Sequence, residues 1–256
     1  MNIRVVMVAL TAALAAAAVA QESTSLNRSE VAAIKSKLVA VQKAMGADPS
    51  GYVRKEEDAF NLPTDFNPAR DGKFWPITAS VQMRFTDRGA VENAASIENL
   101  QADIQARYAA AVASNDPAAM EKMFAEMLQM QNAAVGAAMA PPAKKEDMQI
   151  YVQLNMNPSV AIDPDAVVLE QPGVIALRKK DDAAGETGQV TVYLDPVALA
   201  STTELSKVEL RTADDGVANR SGVFHVVIQL DGALADIEPW VHDFDYSAIM
   251  TVFDPR

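Results

Sequence analysis

The chain contains no cysteine and two histidines among its 256 residues. The first absence excludes disulfides and a cysteine nucleophile, and removes the route by which a bacterial lipoprotein is acylated after its leader. A structural zinc site has almost no raw material, because His225 and His242 stand far apart and match no ligand spacing. Aromatic residues make up 6% of the chain. Basic charge is also short: 22 Lys and Arg face 34 Asp and Glu, for a net charge of −12. No basic stripe interrupts this balance, since Lys144-Lys145 and Arg178-Lys179-Lys180 are each followed at once by acids. Such a chain is repelled by phosphate backbones, so nucleic-acid binding is excluded. No glycine-rich phosphate loop, nucleophile elbow or calcium loop occurs either.

One apolar run is present, at the start. Arg4 precedes a stretch from residue 5 to residue 19 broken only by Thr11, and Ala18-Val19-Ala20 ends it with small side chains before polar Gln21-Glu22. A charged start, a short apolar centre and a small-x-small end predict a cleavable export signal over residues 1–20. The segment is short and alanine-dominated for a bilayer span, and no later run is apolar enough for one. Cleavage removes Arg4 alone, so the mature charge becomes −13. The expectation is a periplasmic or secreted protein, with residues 21–256 forming a single α+β domain without a transmembrane segment.

Asn27, with Glu30 three residues on, predicts a capping box at the head of a helix over 27–46. Val31, Ile34, Leu38, Val41 and Met45 supply its apolar face, and Gly46 with Asp48-Pro49 ends it. Residues 47–75 read as an irregular loop carrying Tyr52, Phe60, Phe66, Phe74 and Trp75. Residues 76–86 alternate apolar and polar side chains, the clearest strand in the chain.

A helical hairpin is expected over residues 96–140. Ile97, Leu100, Ile104, Tyr108 and Ala111 form the inward face of its first helix. Asn115-Asp116-Pro117 is the turn, and Met120, Met123, Met127 and Met130 run as a seam along the second helix. Residues 148–256 read as mainly β. Strands are expected at 148–155, 174–180, 189–194, 205–211, 223–230 and, last, 246–253, with a short helical stretch at 233–243. The predicted architecture is α+β: an antiparallel sheet of about six strands with an N-terminal helix and an inserted αα-hairpin.

Three functions follow from these residues. The first is a non-catalytic envelope protein acting by contact through the hairpin, its partner another envelope protein or a second copy. In this reading the methionines are an adaptable packing seam, although clustered thioethers also suit Cu(I). The second is a small-molecule or lipid binder, with the five loop aromatics framing a pocket; their alternative role is to plug the open face of the sheet. The third is a hydrolase or metal site in which His242, Asp243 and Asp245 supply an imidazole and carboxylates. No cofactor is implied by any motif.

Overall fold

The computed structural model describes residues 24–114, 117–139, 145–181, 186–212 and 216–255; the expected export signal lies outside them. Five α-helices and ten strands follow in chain order: α1 (Arg28–Ala44), β1 (Tyr52–Arg54), β2 (Ala59–Asn61), β3 (Ala79–Asp87), α2 (Arg88–Ser114), α3 (Pro117–Met139), β4 (Met148–Leu154), β5 (Ser159–Ala161), β6 (Val167–Gln171), β7 (Val174–Lys180), β8 (Thr187–Leu194), β9 (Lys207–Glu209), β10 (Val226–Ala233), α4 (Leu234–His242) and α5 (Tyr246–Met250). No helix among the described residues is long and apolar enough to cross a membrane.

Eight strands form one antiparallel sheet rather than about six. Its order is β1-β3-β4-β10-β8-β7-β6, and β2 shares with β1 the outer edge of β3. Two of the additional strands, β1 and β2, come from the stretch read as an irregular loop. They are three residues long, too short for alternation to reveal. β5 and β9 pair separately as a small second sheet. β10 returns late in the chain and inserts between β4 and β8, so the sheet closes only when that strand arrives.

The alternation in the sequence decides the two faces. Val81, Met83 and Phe85 of β3 point the same way as Ile150 and Val152 of β4, Ile228 of β10 and Val192 of β8, all essentially inaccessible to solvent. α1 covers this face through Ile34, Leu38 and Val41, joined by Ile237 and Val241 of α4 and Ile249 of α5. The other face is divided. Over β7 and β8, Ile175 and Tyr193 pack with Val208 and Leu210 from around β9. Over β3, β4 and β10 the face is polar, with Arg84, Gln149, Asp231 and Gln189 side by side in one row and Gln82, Tyr151, Gln229 and Thr191 in the next. This is the arrangement expected of an antiparallel sheet with one face turned to water.

The capping box holds as drawn from the sequence: Glu30 N–H donates to Asn27 Oδ1 at 3.0 Å, and Asn27 N–H donates to Glu30 Oε2 at 2.9 Å. The last element does not. Residues 246–253 alternate like a strand, but Asp245 caps a short helix by accepting the Ala248 N–H at 2.9 Å. Ile249 and Val252, three apart, are then both buried. A local cap and a helical spacing outweigh period-two alternation in so short a segment.

Candidate interaction surface

The stretch between β3 and β4 leaves the sheet as two helices and returns. The first begins at Arg88, directly on the end of β3 and eight residues before the expected start. The insertion therefore falls between the third and fourth strands of the chain, β3 and β4. Only two residues separate α2 from α3, so the helices run antiparallel. Arg107 joins Asp103 on its own helix at 2.9 Å and reaches Glu126 on the other at 3.6 Å.

Both legs are fastened at their base. The Asp87 carboxylate accepts the Gly89 N–H on Oδ1 at 2.9 Å and the Lys145 N–H on Oδ2 at 3.0 Å. These hydrogen bonds, with that from Lys145 the largest, hold the Asp87 carboxyl below its ordinary range. Lys145 Nζ reaches Asp236 Oδ1 of α4 at 2.8 Å, and the Tyr52 hydroxyl donates to Asp236 Oδ2 at 2.9 Å. Burial first, and then Asp236, raise the Tyr52 hydroxyl well above its ordinary range. Arg88 completes the base by donating to the Tyr52 carbonyl at 3.0 Å.

Beyond this base the body gives the described side chains of the helices little cover. Residues 91–99 are all exposed. Leu100 and Ile104 of α2 and Met123 and Met127 of α3 are partly covered, at the spacing that turns one stripe of each helix to its neighbour. Three residues expected in that contact are not. Ile97 is 54% exposed, Tyr108 53% and Met120 45%, and they are joined by Val112, Phe124 and Leu128, the last two at 60% and 56%. A spacing of three and four spreads apolar side chains over a broad arc, and one antiparallel neighbour covers only part of it. Met130 lies in α3, but its side chain is outside the described ones.

The exposed residues share a face. At about 100° per residue, Ile97, Tyr108 and Val112 lie to one rotational side of the Leu100–Ile104 seam. Met120, Phe124 and Leu128 lie to the same rotational side of the Met123–Met127 seam. In two antiparallel right-handed helices, equal senses of rotation from the seam lead to the same face of the pair. Arg107 and Glu126 depart from their seams in the opposite sense, and their ion pair marks the other face. The sequence already held this signal, in apolar arcs too wide for a single partner helix.

The remaining candidate residues are placed elsewhere. Tyr52 and Phe66 are buried, and Phe60 and Phe74 pack against the core, so four of the five loop aromatics serve the body. Phe66 meets Phe74 edge to face at 5.1 Å, and the Arg220 guanidinium lies over both rings. Trp75 is 43% exposed. His242 ends α4 and lines an open groove of about 600 Å³ with Arg178, Lys180 and Glu238. Asp243 lines a different groove, beside Asp48 and Asp236, and Asp245 is occupied as the cap of α5. Among the described residues, no three His, Asp or Glu side chains gather as a metal ion requires. His225 is fully buried, just before β10.

The polar face of the sheet satisfies itself. Gln189 and Gln229 donate to the two oxygens of Asp231 at 2.8 and 3.0 Å, and Gln82 donates to the Tyr151 hydroxyl at 2.8 Å. Among the described residues, the apolar face of the helix pair is a feature left without an internal partner. No protein-family model matches the chain, and no curated protein or solved structure is significantly similar to it.

Proposed function

We propose that this is an exported envelope protein that works by protein–protein contact, with the α2–α3 hairpin as its binding element. The observation that carries this reading is the single face bearing Ile97, Tyr108, Val112, Met120, Phe124 and Leu128, largely exposed on helices fastened at their base. A contiguous apolar surface of this kind on a water-borne helix pair is the mark of a docking surface. The body supplies the anchor: a sheet, three helices packed on it, and the Asp87–Lys145–Asp236 linkage that fixes where the hairpin leaves it.

A photo-crosslinking residue at Phe124 in the native host tests this, with Gln229 on the polar sheet face as control. The contact reading expects an adduct from position 124 and none from 229. Position 124 without an adduct sinks it. Export is tested by the mass of the chain recovered from the envelope, which is expected to begin at Gln21; a chain retaining residues 1–20 overturns cleavage.

A further inference from the structure

We propose that a groove between α1 and the chain that follows β2 binds a small apolar carboxylate, of the kind of a medium-chain fatty acid anion. The site lies on the body, and the proposal does not depend on the hairpin.

The groove has a volume of about 310 Å³, at the lower end of small-molecule sites. Arg28, Val31, Ala32 and Lys35 line it from one stripe of α1, at the spacing of neighbours on a helix surface. Leu26, Leu62 and Thr64 line it from the opposite side. Leu26, Val31 and Leu62 are half-buried and form an apolar floor, which Leu26 and Leu62 continue into the core. The walls are set by the main chain. The Leu26 N–H donates to the Thr64 carbonyl and the Phe66 N–H to the Thr24 carbonyl, each at 2.8 Å. A groove held in this way loses little freedom when a ligand enters it.

Charge selects the occupant. The chain carries a net charge of −12, yet among the described residues the two charged ones lining this groove, Arg28 and Lys35, are both basic. They stand two turns apart on α1, about 10 Å along its axis. The Lys35 ammonium lies over the Phe60 ring, 4.6 Å from its centroid, which fixes its place without cancelling its charge. Carboxylates close by in the sequence are engaged elsewhere. Glu30 accepts the Asn27 N–H and pairs with Arg220 at 2.9 Å, and Asp65 accepts the hydroxyls of Ser25 and Thr64. A carboxylate at Arg28 or Lys35 makes a charge-assisted hydrogen bond, while an alkyl or aryl body covers the floor. A single negative charge is matched by this pair, whereas a polyanion meets the repulsion of the whole acidic chain.

The test is an NMR titration of the purified mature chain, residues 21–256, with octanoate, following the methyl signals of Leu26, Val31 and Leu62. These signals are expected to shift with a Kd of about 1 mM or tighter. Arg28→Gln/Lys35→Gln is expected to weaken binding at least ~10-fold. Ala32→Phe, which sets a ring into the groove from an exposed position, is expected to weaken it by a similar factor. The circular-dichroism melt should stay in place in both variants. On wild type, octanol lacks the charge and acetate lacks the body, and each is expected to bind at least ~10-fold more weakly than octanoate. Methyl signals that do not move with octanoate overturn the proposal. So do shifts that survive either variant, or octanol or acetate binding as tightly as octanoate. None of these outcomes bears on the crosslink from Phe124, so the two readings stand or fall apart.

Discussion

The two oxygens of the Asp87 carboxylate hold opposite legs of the helical excursion, one accepting the Gly89 N–H as α2 begins and the other accepting the Lys145 N–H, 58 residues along the chain, where it re-enters the sheet. One side chain thereby closes the base of a hairpin whose described side chains are largely in solvent. Its substitution reads the coupling between hairpin and body directly. In Asp87→Asn the amide keeps one acceptor and loses the other, so one leg is released. Amide exchange at Gly89 or Lys145 is expected to quicken at least ~5-fold, while exchange in the central strands β4 and β10 is unchanged. Equal protection in the variant would remove Asp87 from this role.

The same carboxylate predicts an acid limit to the fastening. Its pKa in the folded chain is depressed from 3.8, chiefly by the Lys145 N–H. A depressed carboxylate contributes above its unfolded pKa, and the contribution is lost as pH falls through the folded value. The base should therefore be fully held at pH 5 and above and loosen below the ordinary carboxylate range. Proton exchange at the two amides against pH is the measurement, and Asp87→Asn should abolish its acid limb.

Tyrosine sets the alkaline limit. Tyr52 is raised by burial and then by Asp236, and Tyr246 by burial. A group whose folded pKa is raised stabilises the fold below its unfolded pKa of 10.0, and this is lost as pH climbs beyond it. Denaturant midpoints are expected to fall above pH 10, and less steeply in Tyr52→Phe. At neutral pH the same substitution removes the hydrogen bond to Asp236 and should cost about 1 kcal/mol. A midpoint independent of pH in this range would refute the assignment.

Asn155 is a buried side chain that carries three hydrogen bonds. It is 2% exposed with φ of 55°, donates to the carbonyls of Ile77 and Gly222 at 3.0 and 2.7 Å, and accepts the Phe224 N–H at 2.9 Å. It thereby ties the chain entering β10 to the chain entering β3. Asn155→Ala leaves these groups unpaired in a dry site and should destabilise by about 3 kcal/mol. Asn155→Gly, which accepts the positive φ without strain, separates the backbone cost from the hydrogen bonds. A loss under 1 kcal/mol in either variant would contradict the three bonds.

Gly188 tests the end of the β7–β8 pair, where it stands opposite Lys180. A Cβ there would stand 2.3 Å from the Lys179 carbonyl oxygen, a backbone atom held in the ladder. Gly188→Ala should cost more than ~2 kcal/mol in chemical denaturation, whereas Gly46→Ala, with open space around the Cβ but φ of 83°, should cost about 1 kcal/mol from strain alone.

Local rules were enough for much of this molecule. The Asn27–Glu30 box, the alternation of β3 and β4 and the α+β character all depend on residues a few positions apart, and short-range geometry settles them. What the sequence did not disclose was set by partners remote in the chain. β1 and β2 are strands because the edge of β3 receives them. Residues 246–250 are helical because Asp245 caps them and α1 accepts them, its Ala44 carbonyl taking the Asp245 N–H at 2.8 Å. The loop aromatics pack into the body because Arg220 and α1 meet them there. Periodicity also placed Tyr108 and Met120 in a seam without knowing how many helices would close it. Periodicity gives the direction of a side chain from its own axis; which neighbour stands there, or whether water does, is a property of the assembled fold.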